Sequence, residues 1–250
     1  MTDRPNAVLI AGPTASGKSS LALELAEKFD GAVVNADASQ VYDVLHILTA
    51  RPYSEETARI SHHLYGHVNP AHAYSVAEWL RELKDLIPVI RDSCKVPVII
   101  GGTGLYFKAL LEGLSEIPEP DPAVRAYWRD FAGRHPDRLH EELARRDKAG
   151  AEKLRPSDIQ RLVRALEVFD NTGIPLSQWQ KRRLEPPVLE DVNLLKVIVE
   201  PPRAELHKRI AGRFDAMIEA GAIQEVEKLL SLELADELPA MKAIGVREIK

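Results

Sequence analysis

Four short apolar runs stand out along the chain: Ala7–Ala11 (AVLIA), Ala32–Asn35 (AVVN), Pro97–Ile100 (PVII) and Leu194–Val199 (LLKVIV). Each is too short for a helix and carries β-branched residues, so each reads as a strand. PVII is apolar throughout and LLKVIV nearly so, the pattern of strands covered on both faces. Between these runs the apolar positions recur at three and four. This holds for Leu21–Phe29 (LALELAEKF), for Val76–Cys94 with its stripe Trp79, Leu80, Leu83, Ile87 and Ile90, and for Leu105–Leu111. Strand and helix in alternation predict a parallel α/β sheet, with ligands at the carboxyl ends of its strands.

The alternation stops at Ile117-Pro118-Glu119-Pro120-Asp121-Pro122, where spaced prolines make a stiff extended connector. From Ala123 to about Leu184 the pattern is helical throughout. Ser157-Asp158-Ile159-Gln160 reads as a capping box opening a helix (IQRLVRALEVFD), which Gly173 closes with Pro175 beyond. Glu185-Pro186-Pro187 marks a second hinge, after which LLKVIV resumes the sheet. The expected organisation is therefore a core of residues 1–117 and 186–250 with a helical insert at 118–185. From Arg203 a long amphipathic helix follows, with Pro202 at its start and Gly221 at its end. The chain stops within Ala243–Lys250 (AIGVREIK), which reads as the middle of an element.

Composition adds limits. The chain has 250 residues, 45% hydrophobic and 28% charged, which fits one large domain or one domain plus an insert. No apolar stretch reaches membrane-spanning length, and the N-terminal run is too short for a signal peptide. The single cysteine, Cys94, excludes an internal disulfide and points to a reducing, cytoplasmic setting; it is expected to be a small buried apolar residue. The net charge of −5 argues weakly against a nucleic-acid partner. It is unevenly spread, however. Residues 118–185 carry 14 Lys+Arg against 12 Asp+Glu, leaving 19 against 26 for the rest. An arginine-rich segment thus lies inside an acidic protein; on charge alone, solvated helix faces explain it.

Chemistry enters at Gly12-Pro13-Thr14-Ala15-Ser16-Gly17-Lys18-Ser19, a full G-x-x-x-x-G-K-[ST] phosphate-binding loop between a strand and a helix. Glycines let backbone N–H groups turn inward onto phosphate oxygens, and the helix adds its positive end. Lys18 would reach the outermost phosphates and Ser19 could ligate Mg²⁺. The fold class is α/β: a P-loop NTPase-like parallel sheet flanked by helices, with an all-helical inserted subdomain. Asp37, just past the second strand, falls at the same sheet edge, as a Mg²⁺ ligand, a general base or a turn residue. Thr103 lies in a glycine-rich turn after the third strand, without dinucleotide-site spacing. His62, His63, His67 and His72 cluster, but Gly66 and Pro70 break any shared helix face, so surface or packing roles are favoured over zinc. Arg209 and Arg213 share a helix face, as a phosphate clamp or as charges paired with acids such as Glu205.

Several segments together resemble the tRNA dimethylallyltransferases, the tRNA adenine isopentenyltransferases. They are GPTASGKS (12–19), NADASQVY (35–42), LTARP (48–52), HHLYGHVNPAHAYSVAEW (62–79), GGTGLYFKALLEGLS (101–115), DIQRLVRALEVFDNTGIPLS (158–177), HKRIAGRFDAMIEAG (207–221) and AIGVRE (243–248). The chain departs from the family at Ala38, usually Ser, and at Leu48, usually Gly. It also stops where family members continue into a basic helical segment.

The resemblance implies specific roles. Gly12, Pro13, Thr14, Ala15, Ser16, Gly17, Lys18 and Ser19, with Arg213, would hold the diphosphate of dimethylallyl diphosphate. Mg²⁺ would sit on Ser19. Asp37 would be the general base, with Lys18 and Arg213 completing the catalytic set. Asp37, Ala38, Ser39, Gln40, Thr103, Arg125, Gln160, Arg161, Leu162, Val163 and Arg164 would contact tRNA, the insert gripping the anticodon arm. The implied reaction moves a dimethylallyl group onto N6 of the adenine 3′ of the anticodon, in a cytoplasmic monomer without a membrane partner. The rivals are an isopentenyltransferase using free adenine nucleotides and an ATP-dependent small-molecule kinase. The kinase leaves the arginine-rich insert and the GGTGLY turn unexplained. A non-catalytic tRNA-binding protein would have to lack Asp37 or Lys18, and both are present.

Overall fold

The computed structural model describes residues 4–115, 117–181, 187–190 and 193–250. The chain divides into two compact units, one of residues 1–111 and 188–250, the other of residues 112–187. The second hinge at Glu185–Pro186 lies outside the described residues.

The first unit is built on a parallel sheet ordered β3-β2-β4-β1-β5. Its strands are β1 (Ala7–Ala11), β2 (Gly31–Asn35), β3 (His62–His63), β4 (Val96–Gly101) and β5 (Leu194–Ile198). The helices in chain order are α1 (Lys18–Phe29), α2 (Ser54–Arg59), α3 (Val76–Asp92) and α4 (Gly104–Glu112). Those of the second unit are α5 (Pro122–Arg134), α6 (Leu139–Arg146), α7 (Lys148–Ala151), α8 (Ile159–Thr172) and α9 (Leu176–Trp179). The first unit then resumes with α10 (Arg203–Glu219), α11 (Ala222–Leu230) and α12 (Val246–Ile249).

Register aligns the core. Val8 pairs with Val98 and Val98 with Val33, so these three lie across one face. Together with Ile10, Ile100, Ala22 and Ala26 they form the cluster that α1 covers. Leu9, Ile99 and Val34 are the next row along, and the pleat turns them to the opposite face. A fully buried Val, Leu or Ile contributes roughly 1.5–3 kcal/mol, so this double row drives the fold. On α3, Ser75 caps the start and accepts from Glu78 N. Trp79, fully buried, donates from Nε1 to Asn35 O at 2.7 Å and stacks on Tyr106 of α4. A second cluster joins Leu45 and Leu48 to Val226 and Leu229 of α11, Met241 and Val246. The helical unit has its own core of Trp128, Leu139, Leu143, Leu162, Ala165 and Leu166.

Three expectations need correction, and one strand left no signal. β5 is an edge strand, not a buried one: its residues are half-buried or exposed, and Ile198 is 76% exposed. An apolar run cannot tell a covered face from an open edge. Cys94 is exposed, in a left-handed turn at φ 59° that closes α3. A thiol in a turn that leaves the helix has no core to enter. The cap of α8 is Asp158, one residue past Ser157, accepting from Arg161 N at 3.4 Å. Its carboxylate takes the capping role, on a first-turn amide, that the pattern assigns to Ser157. Finally, β3 is a two-residue strand on the other edge, too short to leave a pattern.

Two neighbouring glycines test the packing. A Cβ on Gly101 would lie 2.1 Å from Ala36 O, backbone that cannot yield. Gly104, at the start of α4, has nothing within 4 Å of that position. Gly101→Ala is expected to lose about 1–3 kcal/mol or more in urea melts. Gly104→Ala is expected to be neutral or to gain up to about 1 kcal/mol.

Candidate active site

Three strand exits in the first unit build the site. β1 runs straight into the loop Gly12–Gly17, and α1 starts at Lys18. Gly12 is needed for close approach: a Cβ there would sit 2.5 Å from Val199 O. Gly17 adopts φ 96°, which lets the chain enter the helix with its first amides facing the loop. Ser16 is 4% exposed, and its Oγ has no hydrogen-bond partner among the described residues. A buried hydroxyl left so is costly, and a phosphate oxygen in the loop would satisfy it. Lys18 Nζ folds back to donate to Pro13 O at 2.6 Å.

The exit of β2 is held by Asn35, which is fully buried. Its Nδ2 donates to Asp37 O at 3.0 Å and Leu64 O at 2.9 Å, and its Oδ1 accepts from Asp37 N at 2.9 Å. These bonds set the backbone of Asp37. Asp37 Oδ1 then accepts from Ser39 N at 3.0 Å and Ser39 Oγ at 2.6 Å. Oδ2 has no hydrogen bond among the described residues. At the exit of β4, the point where a Cβ on Gly102 would sit is 3.4 Å from Gly12 O and 3.9 Å from Asp37 Oδ2. Thr103 Oγ1 accepts from Ala38 N at 3.2 Å, tying this turn to the one after β2.

These groups line a cavity of about 930 Å³ within the first unit. Pro13 to Ser19, Asp37, Ser39, Gln40, Thr103, Arg209 and Arg213 all border it. Gly12 and Ala38 flank it in sequence. Arg209 pairs with Glu205, one turn earlier on α10. Leu48, Pro52, Tyr53, Ile210, Phe214 and Met217 supply an apolar wall. Burial lowers the pKa of Lys18; the nearby Arg213 charge pushes the same way and Asp37 opposes both. Burial lowers Arg213 too, opposed by Tyr53 and Asp37. Burial, with the Asp37 charge behind it, pushes the Tyr65 phenol well above its ordinary range, so it stays protonated. Two cations facing one carboxylate make a cavity suited to an anion.

Ser19, exposed at the first turn of α1, also borders the cavity. Among the described residues no group of three or more His, Cys, Asp or Glu is placed to hold a metal. One hydroxyl fits Mg²⁺ in a phosphate site, where phosphate and water oxygens fill most of the shell. His67 and His72 pair with Glu82 at 2.8 Å and Glu78 at 2.6 Å.

The remaining expected contacts lie in the helical unit. Arg125 is half-buried on α5; Gln160 and Arg161 are exposed on α8. Arg161 lies 3.5 Å from Asp158, and Arg164 lies 3.8 Å from Glu167. Leu162 is fully buried in that unit's core and Val163 packs against it, so their side chains place their neighbours. The sequence reading missed Arg51, Tyr53, Tyr65 and the α10 wall. Ile210, Phe214 and Met217 recur at four and three, each following the arginine face of α10, a signal that was available.

Known proteins resemble the chain over nearly its whole length. The IPP transferase family model matches residues 40–250, and the isopentenyl transferase model matches residues 5–65. The tRNA dimethylallyltransferase of Rhizobium johnstonii is 52% identical, the match covering 98% of this chain and 82% of that one. That of Chelativorans sp. is 50% identical, covering 97% and 83%. Among solved structures, the tRNA isopentenylpyrophosphate transferase of Bacillus halodurans superposes with a TM-score of 0.65 at 30% identity, covering 97% of this chain and 75% of that one. A eukaryotic dimethylallyltransferase acting on tRNA gives 0.76 at 27% identity, covering 94% and 58%.

Lys18 permits a test of the anion site. Its folded pKa is depressed, so the folded state disfavours its charge. That penalty holds at every pH below the depressed value and fades as pH rises through it. Lys18→Met should therefore leave the melting temperature at neutral pH unchanged or raised. It should weaken binding of inorganic pyrophosphate, read by calorimetry, by about ten- to a hundredfold, the worth of a charged hydrogen bond.

Proposed function

The chain belongs to the IPP transferase family, and from that premise we propose that it transfers a dimethylallyl group from dimethylallyl diphosphate to N6 of the adenine 3′ of the anticodon in tRNA. The observation that carries this reading is the meeting of the phosphate loop, Asp37 and Arg213 around one cavity with an apolar wall. A kinase would need the loop and the cations. It would leave the arginine-rich helical insert and the GGTGLY turn unexplained.

The chemistry follows from the charges. An adenine N6 amine is a weak nucleophile because its lone pair is delocalised into the ring. An allylic carbon compensates, since it develops cation character as its C–O bond to diphosphate breaks. The loop amides, Lys18 and Arg213 hold the diphosphate and neutralise the charge that grows on it as it leaves. As the new N6–C bond forms, Asp37 takes the N6 proton on Oδ2, the oxygen that Ser39 leaves free. Mg²⁺, held by Ser19 with phosphate and water oxygens, would add Lewis-acid neutralisation of the diphosphate. The apolar wall receives the prenyl chain and keeps water from the carbocation-like centre. The adenine must leave its stack to enter, which is cheaper from a loop than from a duplex.

The helical unit is proposed to grip the anticodon arm, with Arg125, Arg161 and Arg164 on phosphates. Arg161 is exposed, and its pairing with Asp158 at 3.5 Å is loose enough to be exchanged for a phosphate.

Two measurements test this. Single-turnover transfer of labelled dimethylallyl diphosphate to an anticodon stem-loop should fall by about 10²–10⁴-fold in Asp37→Asn, while pyrophosphate binding is kept. An unchanged rate would remove Asp37 from the reaction. Transfer to AMP rather than to the stem-loop would favour the free-nucleotide reading, and phosphoryl transfer from ATP the kinase. Separately, Arg161→Ala should weaken stem-loop binding and reduce the slope of log K against log salt by about one unit. A lowered melting temperature with unchanged affinity would leave Arg161 a purely structural role.

A further inference from the structure

Glu225, on α11, falls in none of the motifs named above. Its carboxylate gathers three consecutive backbone amides of the loop after β2. Oε1 accepts from His46 N at 2.7 Å and Ile47 N at 2.9 Å, and Oε2 accepts from Leu48 N at 2.8 Å. Charged acceptors on backbone N–H groups make the stronger class of hydrogen bond. Three on one carboxylate hold the loop as a helix N-terminus holds an anion. Arg51 adds a strut: its Nη2 donates to Asp43 O at 2.9 Å, and Glu225 offsets the burial that lowers its pKa.

The clamped segment leads directly into a second contact. Gln40 Nε2 donates to Thr49 O at 2.8 Å and to Ala50 O at 3.3 Å. An amide NH₂ has two protons, and both are spent on these carbonyls. The chemistry also fixes the amide's orientation, because an oxygen facing two carbonyl oxygens would be repelled. Gln40 borders the cavity. What it retains for a substrate is therefore an acceptor, suited to an exocyclic amine and unsuited to a carbonyl oxygen.

We propose that Glu225 is a positioning residue: by clamping the amides of residues 46–48 it holds the Thr49 and Ala50 carbonyls where they lock Gln40 as an acceptor facing the base to be modified. This rests on the reaction proposed above. The phosphate loop takes no part in the clamp, so the effect falls on tRNA and not on the binding of pyrophosphate.

The test is a double-mutant cycle with Glu225→Gln and Gln40→Met, assayed by transfer to an anticodon stem-loop. Each single variant is expected to raise KM for the stem-loop by about tenfold. Both should leave the affinity for inorganic pyrophosphate within about twofold of the wild type. Because they act through one chain of bonds, the double variant should be no worse than the worse single one. Hydrogen exchange at the amides of His46, Ile47 and Leu48 should accelerate in Glu225→Gln and not in Gln40→Met. Additive losses, or an unchanged KM in Glu225→Gln, would overturn the proposal while leaving the reaction intact. If Glu225→Gln does not fold, Glu225→Asp, whose shorter side chain reaches fewer of the three amides, carries the same measurements. A wild type that transfers nothing to the stem-loop overturns the reaction and this proposal with it.

Discussion

The site depends on how closely three parallel strands end beside one another. Ala11 pairs with Gly101, and Ile100 with Asn35, so β1, β4 and β2 finish at one level. Past that level the backbone is too crowded for side chains. The position of a Cβ on Gly101 is taken by Ala36 O, and that on Gly12 by Val199 O. Glycine at both points is what lets a phosphate loop, a carboxylate and a hydroxyl turn meet within a few ångströms. A sheet with one strand slipped by a residue would keep every motif and lose the site.

Charge placement then works against stability in the same small space. Lys18 and Arg213 are both held where burial disfavours their charge, with Asp37 the carboxylate that opposes this in each case. The buried Ser16 hydroxyl beside them has no hydrogen-bond partner among the described residues. Such arrangements persist where the ligand supplies what the fold withholds: negative charge for the cations and an oxygen for the hydroxyl. In the proposed reaction the apolar wall serves the other half of the same substrate. A diphosphate ester of a short hydrocarbon needs a polar floor and a dry side, and α10 supplies arginines and apolar residues from one helix.

Much of this was readable in the sequence wherever the signal was local. The loop Gly12–Ser19, the strand preceding it and the stripe Trp79, Leu80, Leu83, Ile87, Ile90 each lie in one continuous segment, and each appears in the structure as read. Failures came where a residue's surroundings are set from elsewhere. Leu194–Ile198 has the composition of an interior strand, but only its place in the strand order decides whether a neighbour covers it. Cys94 sits at a helix end whose left-handed exit carries it to the surface. Glu225 is invisible as a functional group because its partners lie near residue 46, and no spacing rule spans that distance. The roles assigned to Asp37, Arg213 and the helical unit rest on family likeness more than on pattern, since spacing alone left Asp37 as easily a turn.

The strand order also constrains how the chain assembles while it is being made. β1, β2, β3 and β4 are complete within the first 101 residues, but the strand that pairs with the other edge of β1 begins at Leu194. The helical unit, with its own core, is synthesised in the interval. A nascent sheet must therefore wait with β1 as an open edge, its amides and carbonyls unpaired, until β5 emerges. Such an edge invites pairing with other chains, and contacts this distant in sequence form slowly. β5 thus covers β1 and takes over the edge position itself, and translation pauses between residues 112 and 193 would prolong the exposure of β1.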